Sequence, residues 1–356
     1  MLSKATGKTL PWGNLTGIRP VKMAMGMLES GMKNTEIARY MRDQYLVSPE
    51  KTALAVTIAN RERDILKNID YENGYSLYVG IPFCPSICLY CSFSSYPLER
   101  WRKYVEAYLD ALVKEIRAVS GMMKNRKLDT VYIGGGTPTT LEPDQLRRLL
   151  GVITEYFPCE ELEEFTVEAG RPDTITAEKL KALKENNVDR ISINPQTLND
   201  DVLREIGRKH TVQQFFDAFA LARKCGFTNI NTDLIAGLPT DTYESFKNSV
   251  DGILALDAEC ITVHTLSMKR SSTLTEKGVT IDREGAETTR KMLEYNQNEL
   301  LKKNYIPYYL YRQSRMAGNL ENVGWSKKGY ESLYNVYVMD ETHTCLLYTS
   351  DAADEL

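Results

Sequence analysis

No apolar run in this 356-residue chain approaches the ~20 residues that a membrane helix needs. The opening stretch MLSKATGKTLPWGN also lacks the apolar segment of a secretory signal, so the expected location is the cytoplasm. An excess of one charge is missing too. Lys plus Arg number 44 against 48 Asp plus Glu, for a formal net charge of −4, which gives no electrostatic footprint for nucleic acid or an anionic membrane. Histidine is scarce, at three residues, and the first of them is His210. Cysteine is odd in number, at seven, and three of the seven fall between positions 84 and 91. That layout is a poor one for pairwise disulfides and suits a reducing compartment and a metal or redox role better. Hydrophobic residues at 42% and charged residues at 26% match ordinary globular usage and exclude disorder. The length suits one large domain with a smaller piece.

The first 70 residues read as a small helical segment, with Asn34 capping a helix through Tyr45 and Ser48-Pro49 opening another as N-cap and first helical residue. From Ser76 the pattern changes to short β-rich runs, each followed by a polar-faced helical stretch. The runs are Leu77–Ile81, Thr130–Ile133, Glu164–Glu168, Arg190–Ile193, Asn229–Ile235 and Cys260–Leu266. Helices are expected at Arg100–Ala118, Pro143–Tyr156 and Ala286–Lys303, the last leading into Tyr305–Tyr311. The fold class is therefore α/β, a partial barrel of six parallel βα units over residues 71–311, with its chemistry at the C-terminal strand ends. Residues 312–344 read as the start of a truncated C-terminal region containing an alternating, strand-like run, YNVYVMDETHT. The last dozen residues, CLLYTSDAADEL, resemble translated sequencing-adapter DNA, and Cys345 onward is set aside from the fold as a non-native tail.

Cys84, Cys88 and Cys91 stand in CPSICLYC, directly after the first strand. Three thiolates on one loop ligate three irons of a cubane cluster and leave the fourth iron open, where a fourth cysteine would close it. A structural zinc site needs a fourth Cys or His that the loop does not offer; three inert buried residues are the other bland reading. The spacing, with Tyr90 just before the last cysteine, resembles the radical S-adenosylmethionine (SAM) superfamily. There the open iron chelates SAM, and the reduced cluster splits it to a 5′-deoxyadenosyl radical. GGGTPT, Gly134–Thr139, ends the second strand and lets backbone groups approach a ligand; it resembles the superfamily segment that holds the methionine amino group. Glu168, Gln196 and Asp233 follow at later strand ends, with Arg208 in GRKH between the last two. Asp233 suits ribose hydroxyls and Arg208 a carboxylate, through its planar fork. Cys159, Cys225 and Cys260 read as small core residues, and His264 as a satisfied core histidine in preference to a substrate contact.

With YVGIPFCPSICLYCSFSSYP, GGGTPT, DLIAGLP and YRQSRMAGNLENVG together, the chain resembles the oxygen-independent coproporphyrinogen III dehydrogenases. The leader LPWGNLTGIRP and the MAGNLENVG segment narrow this to the HemZ-like branch, over roughly residues 10 to 344. The resemblance implies a [4Fe-4S] cluster and one or two SAM molecules, with Tyr78, Tyr90, Gly135, Gly136, Thr137, Glu168, Gln196, Arg208, Asp233 and Ser267 at SAM positions. It implies oxidative decarboxylation of two propionates of coproporphyrinogen III to vinyl groups. The implied partners are a tetrapyrrole substrate and an electron donor such as flavodoxin or ferredoxin. Lys269, Arg270, Arg312 and Arg315 are candidates for the substrate carboxylates, each also readable as a solvated charge. A haem-binding chaperone and a haem-degrading radical SAM methyltransferase are the alternatives within the same resemblance.

Overall fold

The computed structural model describes residues 10–17, 19–93 and 95–348. Three helices come first: Pro20–Glu29, Asn34–Tyr45 and Pro49–Ile65. Ser48 caps the third by accepting from the Lys51 N–H, with Pro49 at the first helical position as expected. Asn34 is not a cap. It is the first residue of its helix, and the N-cap Lys33 donates its N–H to the Glu36 carboxylate at 2.8 Å.

The strands are β1 Gly74–Ile81, β2 Phe83–Cys84, β3 Tyr96–Pro97, β4 Lys127–Gly135, β5 Glu164–Glu168, β6 Arg190–Ser192, β7 Ile230–Ala236, β8 Cys260–Thr265, β9 Ile306–Tyr311, β10 Asn322–Ser326 and β11 Thr344–Tyr348. β2 and β3 form a two-residue ladder of their own. The others make one sheet in the order β11-β1-β4-β5-β6-β7-β8-β10-β9, in which β1, β4, β5, β6, β7 and β8 run parallel. These are the six expected strands, in chain order. β10 is antiparallel to both neighbours and lies between β8 and β9, so the sheet runs on past residue 311.

Alternation along these strands sorts residues between two surroundings. On β1 Leu77, Val79 and Ile81, on β4 Val131 and Ile133, and on β8 Ile261 and Val263 join the apolar core beneath the crossover helices. Their alternate neighbours Tyr78, Tyr132, Thr262 and His264 line a cavity inside the barrel. The crossover helices match this with one apolar face each, as in Leu109, Leu112, Val113 and Ile116 of Val105–Met122.

Two regions depart from the sequence pattern. YNVYVMD alternates like a strand, yet Leu333–Asp340 is a helix. Ser332 caps it at Asn335, and the Glu164 carboxylate accepts from the Leu333 N–H at 2.7 Å and the Ser332 hydroxyl at 3.0 Å. Tertiary capping from the barrel overrides the local β preference. Thr344–Tyr348, set aside in part as tail, pairs parallel with β1; the free edge of β1 is a template for an extended segment that follows it. Positions 349–356 of the suspected tail lie outside the described residues. No helix among the described residues is long and apolar enough to cross a membrane.

The helical leader is pinned to the barrel by a buried polar cluster. Glu321 accepts from the indole N–H of Trp12 at 2.7 Å and pairs with the Lys51 ammonium. Arg312 lies over the Trp12 ring and donates to the Leu15 carbonyl at 2.8 Å. Removing one partner of such a buried pair leaves the other uncompensated, so Glu321→Ala is expected to lower stability by about 3–5 kcal/mol in chemical denaturation. Exposed-pair substitutions such as Arg204→Ala, which leaves Asp201 in solvent, should change it by under ~1 kcal/mol.

Candidate functional site

The cavity of about 550 Å³ opens at the C-terminal ends of the parallel strands. Tyr78 of β1 lies on its wall with Cys84, Cys88, Tyr90 and Cys91 of the loop that follows. The turn after β4 contributes Gly135, Gly136 and Thr137, β5 contributes Glu168, and the segment after β6 contributes Gln196 and Arg208. Asp233 comes from β7 and Ser267 from just beyond β8. The structure thus brings together every candidate cluster and cofactor position read from the sequence.

The β4 turn is built around the cysteine loop. Gly135 has φ +101°, and a Cβ on Gly136 would come within 2.8 Å of the Phe83 carbonyl and 3.0 Å of the Cys84 sulfur. The Gly136 N–H donates to the Ile81 carbonyl at 2.8 Å, and the Thr137 hydroxyl stands 3.5 Å from the Cys84 sulfur. Burial pushes the thiols of Cys84 and Cys91 up, the latter to about 12. Thiolates there are favoured only by a strong local positive charge such as a metal centre provides. Among the described residues no three His, Cys, Asp or Glu side chains close round a single ion; a cubane takes one thiolate per iron and spreads its sulfurs more widely than zinc does.

Around the rest of the wall, polar side chains hold one another. Tyr132 donates to Glu168 at 2.5 Å. Asn231 donates to Asp233 at 2.7 Å and to the Ser192 hydroxyl at 3.1 Å, and Thr262 donates to Asn231 at 3.1 Å. Arg208 donates to the Asn194 carbonyl at 2.5 Å. Gln196 is held in the left-handed region at φ 70°, with its N–H on the Asp233 carbonyl at 2.9 Å; such strain in a non-glycine residue clusters at ligand sites. Two buried polar atoms on this wall, Gln196 Oε1 and Arg208 Nε, have no hydrogen-bond partner among the described residues.

Residues 78–253 match the family described as the radical SAM superfamily. Over 350 residues the chain is 40% identical to the oxygen-independent coproporphyrinogen-III oxidase-like protein HemZ of Bacillus subtilis, covering 97% of this chain and 70% of that protein. The chain belongs to the radical SAM superfamily. It is 43% identical to the B. subtilis heme chaperone HemW over 192 residues, which is 54% of this chain and 50% of that one. The solved coproporphyrinogen III oxidase HemN of Escherichia coli, titled a radical SAM enzyme, superposes with a TM-score of 0.62 at 25% identity, over 78% of this chain and 60% of that one. The α/β partial barrel is thus the fold of the superfamily, and the superfamily's cofactors are a [4Fe-4S] cluster and SAM.

The radical SAM cavity has the donors these cofactors require: three thiols on one loop for the cluster, and unpartnered polar atoms with a glycine cradle for a zwitterionic ligand. It also contains residues that the sequence reading passed over. Arg171 donates to Asp173 at 3.0 Å, to Ser86 at 3.2 Å and to the Cys88 sulfur at 3.7 Å, bracing the cysteine loop from below. Its signal was its place in EAGRP, three residues past Glu168. Asn194 and Asn231 sit two positions from other cavity residues, at the strand period. His264 is partnered as expected but is not enclosed in the core. It lines the cavity, with Nε2 3.6 Å from Asp233 and Nδ1 3.5 Å from the Tyr311 hydroxyl. Of the four candidate cations, Lys269 alone is on the wall. Arg312 is buried against the leader, where its charge serves the Trp12 contact and not a ligand. Arg19, unforeseen, lines the cavity and pairs with Glu341. Cys159, Cys225 and Cys260 lie off the wall; the first two pack against the apolar core, and the buried Cys260 thiol donates to the Tyr330 carbonyl at 2.7 Å.

Gly136→Ala tests the fit between turn and loop. Because its Cβ meets backbone, the cysteine loop has to shift, and the variant is expected to lose about 1–3 kcal/mol of stability and to retain less iron and sulfide after anaerobic reconstitution. Gly151→Ala, in a helix where a Cβ meets nothing within 4 Å, is the control that should lose neither.

Proposed function

We propose that the chain is a radical SAM oxidoreductase acting on a tetrapyrrole, and that its reaction is the oxygen-independent decarboxylation of coproporphyrinogen III propionates to vinyl groups. The observation that carries this is the convergence of Cys84, Cys88 and Cys91 with all ten candidate SAM positions on one cavity wall. When bound, the cluster and SAM supply a hydrogen-abstracting radical strong enough for an unactivated carbon. The protein's part is to seat and orient. Cys84, Cys88 and Cys91 hold three irons, and the backbone of Gly135 to Thr137 takes the methionine end of SAM. Arg208, fixed by Asn194, and Gln196 offer their unpartnered nitrogen and oxygen to polar groups of the ligand. Asp233, oriented by Asn231 at 2.7 Å, accepts from ribose hydroxyls. Tyr78, Tyr132 and Tyr334, stacked with centroids 4.5 to 6.2 Å apart, form an aromatic side to the same space. Arg19 and Lys269 are the wall cations placed to meet substrate carboxylates.

The 43% identity to a heme chaperone favours a second reading, in which the same cavity binds haem for delivery. Anaerobic reconstitution followed by assay of 5′-deoxyadenosine with and without coproporphyrinogen III separates the two. The oxidoreductase forms 5′-deoxyadenosine and a vinyl product with that substrate. A chaperone takes up haem stoichiometrically in a spectroscopic titration and forms neither.

Cys88→Ala should abolish the brown absorbance of the cluster and bring SAM cleavage down to background. Full cleavage in that variant would overturn the ligand assignment.

A further inference from the structure

A surface feature beside the cysteine loop has no role in the cavity. Tyr96, Trp101 and Tyr104 expose 41%, 38% and 47% of their area. Their rings form a ladder, with centroids 4.7 Å apart between Tyr96 and Trp101 and 5.3 Å between Trp101 and Tyr104. Large exposed aromatics in a row mark contact surfaces, since burying them on a partner removes apolar area at little conformational cost. Cations accompany them. Arg102 is taken by Glu142 at 3.3 Å and Glu106 by Arg148 at 3.3 Å. That leaves Arg100 and Lys103 against Glu99, with neither cation ion-paired among the described residues, in a chain whose net charge is −4. The ladder is wired to the cluster loop by strand register: Tyr96 pairs with Phe83, and Pro97 pairs with Cys84.

We propose that Tyr96, Trp101 and Tyr104, with Arg100 and Lys103, form the docking surface for a small acidic electron-donor protein. The inference rests on the cluster reading of Cys84, Cys88 and Cys91. Such a cluster must gain one electron from outside, and tunnelling falls steeply with distance, so the donor has to seat close to the loop. The aromatic ladder is exposed surface within one strand pair of Cys84. The donor is oxidised by one electron as the cluster is reduced by one. Charge steers the encounter, and the buried aromatics hold it.

The test uses the chain reconstituted with iron and sulfide, and flavodoxin hydroquinone as the probe. Trp101→Ala should weaken flavodoxin binding, read by calorimetric titration, by about thirtyfold, as loss of an interface anchor does. Arg100→Glu with Lys103→Glu should slow flavodoxin-driven cluster reduction by about tenfold and flatten its dependence on salt. Reduction by dithionite should be unchanged in both. Unaltered affinity and rate would overturn the proposal, as would an equal slowing of dithionite reduction, which would make the patch a support of the loop. Self-association that Trp101→Ala abolishes in sedimentation would overturn it too, by assigning the patch to a second copy. Dithionite-driven SAM cleavage by the unaltered chain reports on the cluster reading separately, so a failure there is not mistaken for a failure of docking.

Discussion

The structure depends on one partition: along each parallel strand, alternate side chains go either to the apolar layer under the helices or to the polar interior of the barrel. A barrel of this kind ordinarily fills its centre with branched apolar residues. Here Ser76, Thr130, Thr166, Ser192, Asn231 and Thr262 occupy the inner face, and each unmade hydrogen bond among them would cost about 1–3 kcal/mol. They are kept affordable by contact with one another, as in Ser76 with Thr130 at 2.7 Å and Asn231 with Ser192 at 3.1 Å. An interior of mutually bonded polar groups leaves room at the strand ends for a large, charged ligand.

That partition explains what was legible in the sequence. The six strands were read from β-rich runs followed by helices, and placing them put Glu168 and Asp233 at strand ends, where the cavity opens. The cysteine loop and GGGTPT are local motifs and needed no tertiary knowledge. Arg171, His264 and Arg19 were missed or misread for a common reason: each acts through a partner distant in sequence. Arg19 meets the cavity only because the leader packs beside the helix that ends at Asp340. Arg312, by contrast, has the right position in the sequence for a substrate contact and the wrong surroundings in the fold.

The helix Leu333–Asp340 makes the same point about local structure. Its residues favour a strand by pattern, and Glu164, on the barrel, supplies the acceptor for its first N–H. The family segments behave similarly. LPWGN and MAGNLENVG stand out in the sequence as separate stretches, and in the structure they grip each other through Trp12, Lys51 and Glu321.

That grip has a consequence for synthesis on the ribosome. Trp12 and its acceptor are separated by 309 positions, which at roughly 5–20 residues per second take about 15–60 s to be made. Throughout that interval the nascent helices Pro20–Glu29 and Asn34–Tyr45 have emerged without the surface that shelters Trp12, so the growing chain relies on their own packing, or on a holdase, to stay out of aggregates until β10 is translated.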